Sequence, residues 1–116
     1  MEDITLTPDG QRPIAFRGEV IGESSSYARG KMRWFELVIY RTQSDQYVAQ
    51  GIGRSEFENE EDKVWVEIAG TAAELIAALH RSGGDGDEYL PRTTQYALED
   101  AARVDSNFAA AYVVRL

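Results

Sequence analysis

Two tryptophans in this chain, Trp34 and Trp65, are each followed two residues later by a glutamate, Glu36 and Glu67. Side chains two positions apart on a β-strand point to the same face. Each segment therefore predicts an indole and a carboxylate side by side on one strand. Such pairs could orient a small ligand, with the carboxylates acting as acids or bases, or they could form part of a protein interface.

The alternation places further side chains on the same predicted face of a sheet, which we expect to be the binding surface. The predicted binding residues are Arg17, Trp34, Glu36, Tyr40, Tyr47, Trp65 and Glu67. The opposite face, with the aliphatic side chains of 35–39 and 64–68, predicts a core. An ordinary solvent face would instead be rich in Thr, Lys, Glu and Gln.

Three interpretations of the aromatic face remain open. It could be core beneath a second layer such as segment 108–114. It could be an interface with a partner protein or a second copy. It could also line a pocket in a curved sheet, where Glu36, Glu67 and Arg17 orient a ligand.

No residue set predicts a catalytic or metal centre, and we expect no cofactor. His80 is the single histidine, and its sequence neighbours Ser82 and Asp85 cannot easily converge on it as a catalytic triad requires. The chain has no cysteine, which excludes thiolate zinc sites and cysteine nucleophiles. Residues 83–88 resemble a single calcium-binding repeat, but they lack neighbouring repeats, and we interpret them as a helix-capping loop.

The net charge is −8, with 20 acidic and 12 basic residues, and it argues against nucleic acid or an anionic membrane as a general partner. The charge is uneven. Residues 29–54 contain five basic and two acidic side chains, whereas residues 56–62 contain five carboxylates. The acidic run is either a solvated loop or a phosphate mimic that inhibits a nucleic-acid-binding protein.

Strand-like alternation predicts a sheet from four segments, 14–22, 33–42, 46–54 and 63–69. A further short strand is predicted at 4–7. Gly18 within the first suggests a bulge or a close backbone approach. Residues 1–12 are predicted to be a loosely ordered lead-in, and residues 13–116 a single domain.

Thr71 and Glu74 form a capping-box pattern that predicts a helix ending near Gly83. A second helix is expected from about Pro91 to Val104. Residues 108–116 favour a strand, although their alanines could extend a helix. The predicted fold is α+β, an antiparallel β-sheet of four to five strands with two helices packed on one face.

We therefore expect a non-enzymatic bacterial protein-interaction module, in the form of a homodimer or with a partner protein. The alternative is a small-ligand-binding or enzymatic α+β barrel lined by Arg17, Glu36, Tyr40 and Glu67, so a small molecule stays open as a partner. A weaker alternative is that the chain uses the acidic run 56–62 to inhibit a nucleic-acid-binding protein. The acidic N-terminus has no export pattern and no segment reaches membrane-spanning length, so we expect a cytoplasmic protein without membrane contact.

Overall fold

The computed structural model describes residues 1–82 and 91–116, which form a five-stranded antiparallel sheet followed by three helices. The strands are β1 (Glu2–Leu6), β2 (Ile14–Ser25), β3 (Arg33–Thr42), β4 (Tyr47–Ser55) and β5 (Lys63–Ala69). The helices are α1 (Ala72–Ser82), α2 (Arg92–Val104) and α3 (Ser106–Tyr112). Each strand pairs with the next one along the chain. The predicted α+β class and antiparallel sheet are confirmed.

The β3–β4 hairpin is closed by its turn residues. Thr42 is buried, and its hydroxyl accepts a hydrogen bond from the Gln46 amide at 3.0 Å. Asp45 takes the left-handed conformation with φ 61°, which Asp tolerates better than most residues. The bounds of β3 and β5 coincide with the predicted segments 33–42 and 63–69.

Helix α1 begins at the predicted capping residues. The Thr71 hydroxyl accepts from the Glu74 amide at 3.1 Å, and the Glu74 carboxylate accepts from the Gly70 amide at 3.2 Å. The expected C-terminal residue of this helix, Gly83, and the loop 83–88 lie outside the described residues. No helix in the described part of the chain is long and apolar enough to cross a membrane.

The described residues form three helices where two were predicted, because residues 106–112 form α3 and not a strand. The Asp105 side chain caps this helix by accepting from the Phe108 amide at 3.0 Å. Three consecutive alanines, which have the highest helix propensity, follow Phe108. Local capping and propensity thus outweigh the strand-like residues at the end of the segment.

The main core joins the helices to the sheet face that carries Leu37 and Ile39, which we call the Leu37 face. Its buried members are Ile21, Leu37, Ile39, Tyr47, Ala49, Ala69, Ala72, Leu75, Leu79, Ala97, Leu98, Ala101 and Phe108. A methyl group on Gly22 would overlap the Ala97 carbonyl and lie 2.9 Å from the Ala101 amide nitrogen. Helix α2 therefore packs directly against the backbone of β2.

A second core lies on the opposite side of the sheet, which we call the Tyr40 face. It consists of the buried residues Leu6, Tyr40 and Val48 with Ile4, Phe16, Val38 and Val66. Strand β2 runs four residues beyond the end of β3, since Gly18 pairs with Thr42, and this extension carries β1. The Phe16 ring contacts the Tyr40 ring edge-on at 5.4 Å. The β1–β2 hairpin thus covers the Tyr40 face.

Asp9, in the connection between β1 and β2, fastens this hairpin to the far edge of the sheet. Its amide donates to the Val64 carbonyl at 3.0 Å, and its carboxylate accepts from the Val64 amide at 2.9 Å. Residues 1–12, expected to be a loosely ordered lead-in, contribute β1 and the buried side chains of Leu6 and Pro8.

The close backbone approach predicted at Gly18 is present, because a methyl group there would lie 2.6 Å from the Arg41 carbonyl oxygen. The register shift between β2 and β3 lies two residues further on, between Val20 and Gly22.

The Trp65 indole lies directly over Gly51, where a methyl group would overlap the ring. We expect Gly51→Ala to lower the free energy of unfolding by about 1–3 kcal/mol through overpacking. Gly53→Ala is the matched control in the same strand, because its methyl group would lie 3.9 Å from the nearest Lys63 atoms. Urea denaturation should show that this control changes the free energy of unfolding by no more than about 0.5 kcal/mol. Equal effects at both positions would contradict this packing.

Candidate functional site

The prediction that the seven binding residues share one face of the sheet is wrong. Trp34, Glu36 and Tyr40 lie on the Tyr40 face. The others lie on the Leu37 face, and they are Arg17, Tyr47, Trp65 and Glu67. Alternation fixes the faces within one strand, whereas the register between strands depends on the turns that join them.

The pairing of β3, β4 and β5 also shows that the aliphatic side chains of 35–39 and 64–68 do not share the one face that was predicted for them. Gly51 pairs with both Leu37 and Trp65, which places Trp65 on the Leu37 face. The alternating valines and isoleucine of β5 therefore point to the opposite side from Leu37. The pocket that was to combine Glu36 and Tyr40 with Arg17 and Glu67 is not formed, because the sheet separates the two pairs.

Three of the four predicted aromatic residues pack against the cores. Burial raises the pKa of Tyr40, which the Phe16 ring covers. Tyr47 is buried, with its ring 5.7 Å from that of Phe108. The half-buried Trp65 stacks on Phe35 at 6.2 Å. Each face therefore packs against a second layer, and the expected segment 108–114 contributes on the Leu37 side, through Phe108, Ala111 and Tyr112.

Trp34 and Glu36 remain together, and they form an ordered polar cluster with Arg54. The Trp34 indole nitrogen donates to Glu36 Oε2 at 2.7 Å, and Arg54 donates to both Glu36 oxygens at 3.2 and 3.3 Å. Arg54 also donates to Asp62 at 3.1 Å. Burial favours a higher pKa for Glu36, but the hydrogen bonds from Trp34 and Arg54 outweigh it and hold the pKa below its usual value.

Arg33 forms a second cluster beside the first. Its Nε donates to Glu60 Oε1 at 2.8 Å, and a second bond joins its Nη2 to the other Glu60 oxygen. Ser55 also donates to Glu60, at 2.6 Å, and the Arg33 guanidinium lies 4.6 Å from the centre of the Phe57 ring. The hydrogen bonds from Arg33 and then Ser55 lower the pKa of Glu60 to about 2.

These clusters lie where the β2–β3 and β4–β5 loops meet. We call the surface formed by residues 26–34 and 54–62 the loop end. The Glu56 amide donates to the Met32 carbonyl at 2.9 Å and joins the two loops. A cleft of about 480 Å³ opens here, lined by both arginines, Trp34 and Lys63 among others.

Apolar side chains are exposed around this cleft. Tyr27 is 56% exposed, Phe57 42% and Met32 41%. The Tyr27 ring contacts Trp34 edge-on at 4.8 Å. The loop end therefore combines solvent-facing aromatic and methionine side chains with fixed charges. Such a surface can bind another macromolecule.

One cluster escaped the sequence predictions. The carboxylate of Asp105, only 1% exposed, accepts from the Tyr47 hydroxyl at 3.1 Å as well as capping α3. Arg41 contacts Asp105 at 3.5 Å and pairs with Glu19 at 3.0 Å. Burial, followed by the charge of Asp105, raises the pKa of Tyr47. An Asp before an alanine-rich run could have indicated the cap, but not the contacts with β3 and β4.

Asp105 should matter for stability. We expect Asp105→Ala to lower the free energy of unfolding by about 2–4 kcal/mol, because it removes a helix cap and leaves the Tyr47 hydroxyl without its acceptor. Asp100→Ala is the control, because it removes a carboxylate that is 42% exposed and accepts from Arg103 and, at 3.3 Å, from the Glu23 amide. Urea denaturation should show that this control lowers the free energy of unfolding by no more than about 1 kcal/mol. Similar losses for the two variants would contradict the assigned role.

The Arg33–Glu60 pair gives a prediction on pH. Since Glu60 titrates near 2 in the folded chain, below its ordinary value of 4.5, its pairing adds stability above about pH 4.5. That contribution disappears as the pH falls towards 2. Arg33→Gln should raise the pKa of Glu60 towards its ordinary value, and Ser55→Ala should raise it less. A carboxyl-carbon NMR titration measures both shifts, and an unchanged Glu60 pKa in Arg33→Gln would refute the pairing.

Neither a metal centre nor a known relative assigns a role to this surface. In residues 1–82 and 91–116, no group of three or more His, Cys, Asp or Glu side chains could hold a metal ion. No protein-family model, curated protein or solved structure matches the chain. What the loop end can bind is therefore argued from its own shape, exposure and charge.

Proposed function

We propose that the chain is a non-enzymatic protein-interaction module and that the loop end is its binding surface. The observation that carries this proposal is the exposure of Tyr27, Met32 and Phe57 on two adjoining loops, next to the residues that line the cleft. Aromatic and methionine side chains are enriched where proteins bind each other. Trp34, partly buried behind Tyr27, adds a large aromatic residue to the same surface.

The charged side chains of the loop end support an interface more than a small-ligand site. Both arginines already have carboxylate partners in the same chain, Arg33 with Glu60 and Arg54 with Glu36 and Asp62. These pairs hold the two loops in place, which reduces the ordering cost of binding a partner. The proposal includes the predicted packing of the helices on a single face, the Leu37 face.

The hypothesis of an acidic inhibitor has less support. Of the five carboxylates in residues 56–62, Glu60 and Asp62 pair with arginines of the same chain. Only Glu56, Glu58 and Glu61 remain for a basic partner, which is a small part of the charge that a phosphate backbone presents.

Affinity capture with variant chains tests the proposal. Tyr27→Ser/Phe57→Ser removes two exposed aromatic side chains from the loop end, and Tyr96→Ser removes a 52% exposed tyrosine from α2 as the control. We expect quantitative mass spectrometry to show at least a tenfold loss of the bound protein, about 1.4 kcal/mol, for the loop-end variant only. Thermal unfolding should verify that the variants are folded. A captured set that is the same for all chains would contradict the proposal.

A further inference from the structure

The loop end carries charges that have no ion-pair partner in the described part of the chain. Arg29 and Lys31, in the β2–β3 loop, are exposed, and neither lies within salt-bridge distance of a described carboxylate. The Lys31 side-chain nitrogen donates to the Ser26 carbonyl at 2.9 Å, and in the described part of the chain this is its one hydrogen bond. This loop therefore presents two positive charges to solvent.

The adjoining β4–β5 loop presents the opposite sign. Glu56 and Glu58 are exposed, and neither forms an ion pair with a described residue. The bond between the Glu56 amide and Met32 brings the two loops together. One molecule thus shows a positive and a negative loop side by side, next to the exposed Tyr27 and Phe57.

A surface with this arrangement is complementary to itself. In a two-fold symmetric pair, each contact between two residues occurs twice, with the roles of the copies exchanged. Turning a second copy about such an axis can place its acidic loop on the basic loop of the first, and the reverse. Both contacts then join opposite charges around the exposed aromatic side chains.

The distribution of charge makes the loop end a surface at which two copies repel each other only weakly. The chain carries a net charge of −8, so two copies repel each other over most orientations. Residues 26–34 and 54–62 contain four basic and five acidic side chains, which makes the loop end nearly neutral. Two copies can therefore approach through the loop end with little of this repulsion.

We propose that the partner of the loop end is a second copy of this chain, bound as a two-fold symmetric homodimer. This inference rests on the proposed function of the loop end. Arg29 and Lys31 of one copy face Glu56 and Glu58 of the other, and the aromatic side chains of both copies are covered between them.

Charge reversal tests the symmetric pairing. Arg29→Glu/Lys31→Glu puts negative charges at the proposed contact positions of both loops, and Glu56→Lys/Glu58→Lys puts positive charges at these positions of both loops. Each variant alone should raise the dissociation constant of the dimer at least about tenfold, because like charges then meet at both contacts. An equal mixture of the two variants should form a heterodimer within about threefold of the wild-type affinity, because both contacts again join opposite charges.

Sedimentation velocity from about 1 μM to about 1 mM covers the relevant affinities, and native mass spectrometry separates the heterodimer by mass. Raising the salt from about 0.05 to about 0.5 M should weaken the wild-type dimer. Arg12→Glu/Arg92→Glu is the control, since it changes the net charge equally at two exposed arginines outside the loop end. This control should still form a dimer.

A wild-type chain that stays monomeric throughout this range would overturn the homodimer. So would a dimer that neither reversal weakens, or a mixture that forms no heterodimer. In each of these cases, capture of a different protein that depends on Tyr27 and Phe57 would leave the proposed function intact. Capture that does not depend on these residues, together with a monomeric chain, would remove both proposals.

Discussion

The backbone-and-carboxylate link between Asp9 and Val64 determines which surfaces of this protein remain available. It fastens the β1–β2 hairpin across the sheet to its last strand, so that Phe16 and Leu6 cover Tyr40 and Val48. On the other side, residues of the helices pack against Leu37 and Ile39. Packing on both faces leaves few apolar side chains of the sheet exposed, Val20 and Ile68 among them, whereas the loops at its ends stay open to a partner. The exposed aromatic side chains at the loop end fit this constraint.

The ion pairs at the loop end matter more for the positions of the two loops than for the free energy of unfolding. The carboxylates of Glu60 and Asp62 are 36% and 40% exposed, and exposed pairs contribute only about 0–1 kcal/mol each. The Arg33–Glu60 pair ties the start of β3 to the β4–β5 loop, and the Arg54–Asp62 pair joins the two ends of that loop. Charges that the chain pairs internally fix the shape of the surface, whereas the unpaired charges on the two loops can select a partner.

Much of the fold follows from local sequence patterns. Alternation located β3 and β5, and Thr71 with Glu74 located the start of α1. The position of each strand relative to its neighbours could not be predicted, because it depends on turn geometry and on the register shift near Gly22. The prediction that the aromatic residues share one face of the sheet was wrong for this reason.

The second core shows the same limit. Val66 and its neighbours on β5 satisfy an aliphatic pattern equally well beneath helices or beneath a folded-over hairpin. The acidic run 56–62 was visible in the sequence, but its partners were not. Arg33 and Glu60 lie 27 positions apart, and no local rule pairs them. Trp34 and Glu36 were predicted as neighbours because only the alternation within one strand was needed.

Amide chemical shifts followed by NMR on dilution from about 1 mM to about 20 μM would test most directly whether two copies of the chain bind each other through the loop end. The account predicts concentration-dependent shifts confined to residues 26–34 and 54–62, with those at Tyr27, Met32 and Phe57 among the largest. Shifts centred on other exposed apolar residues, such as Val20 and Ile68 on the sheet or Tyr96 on α2, would contradict it.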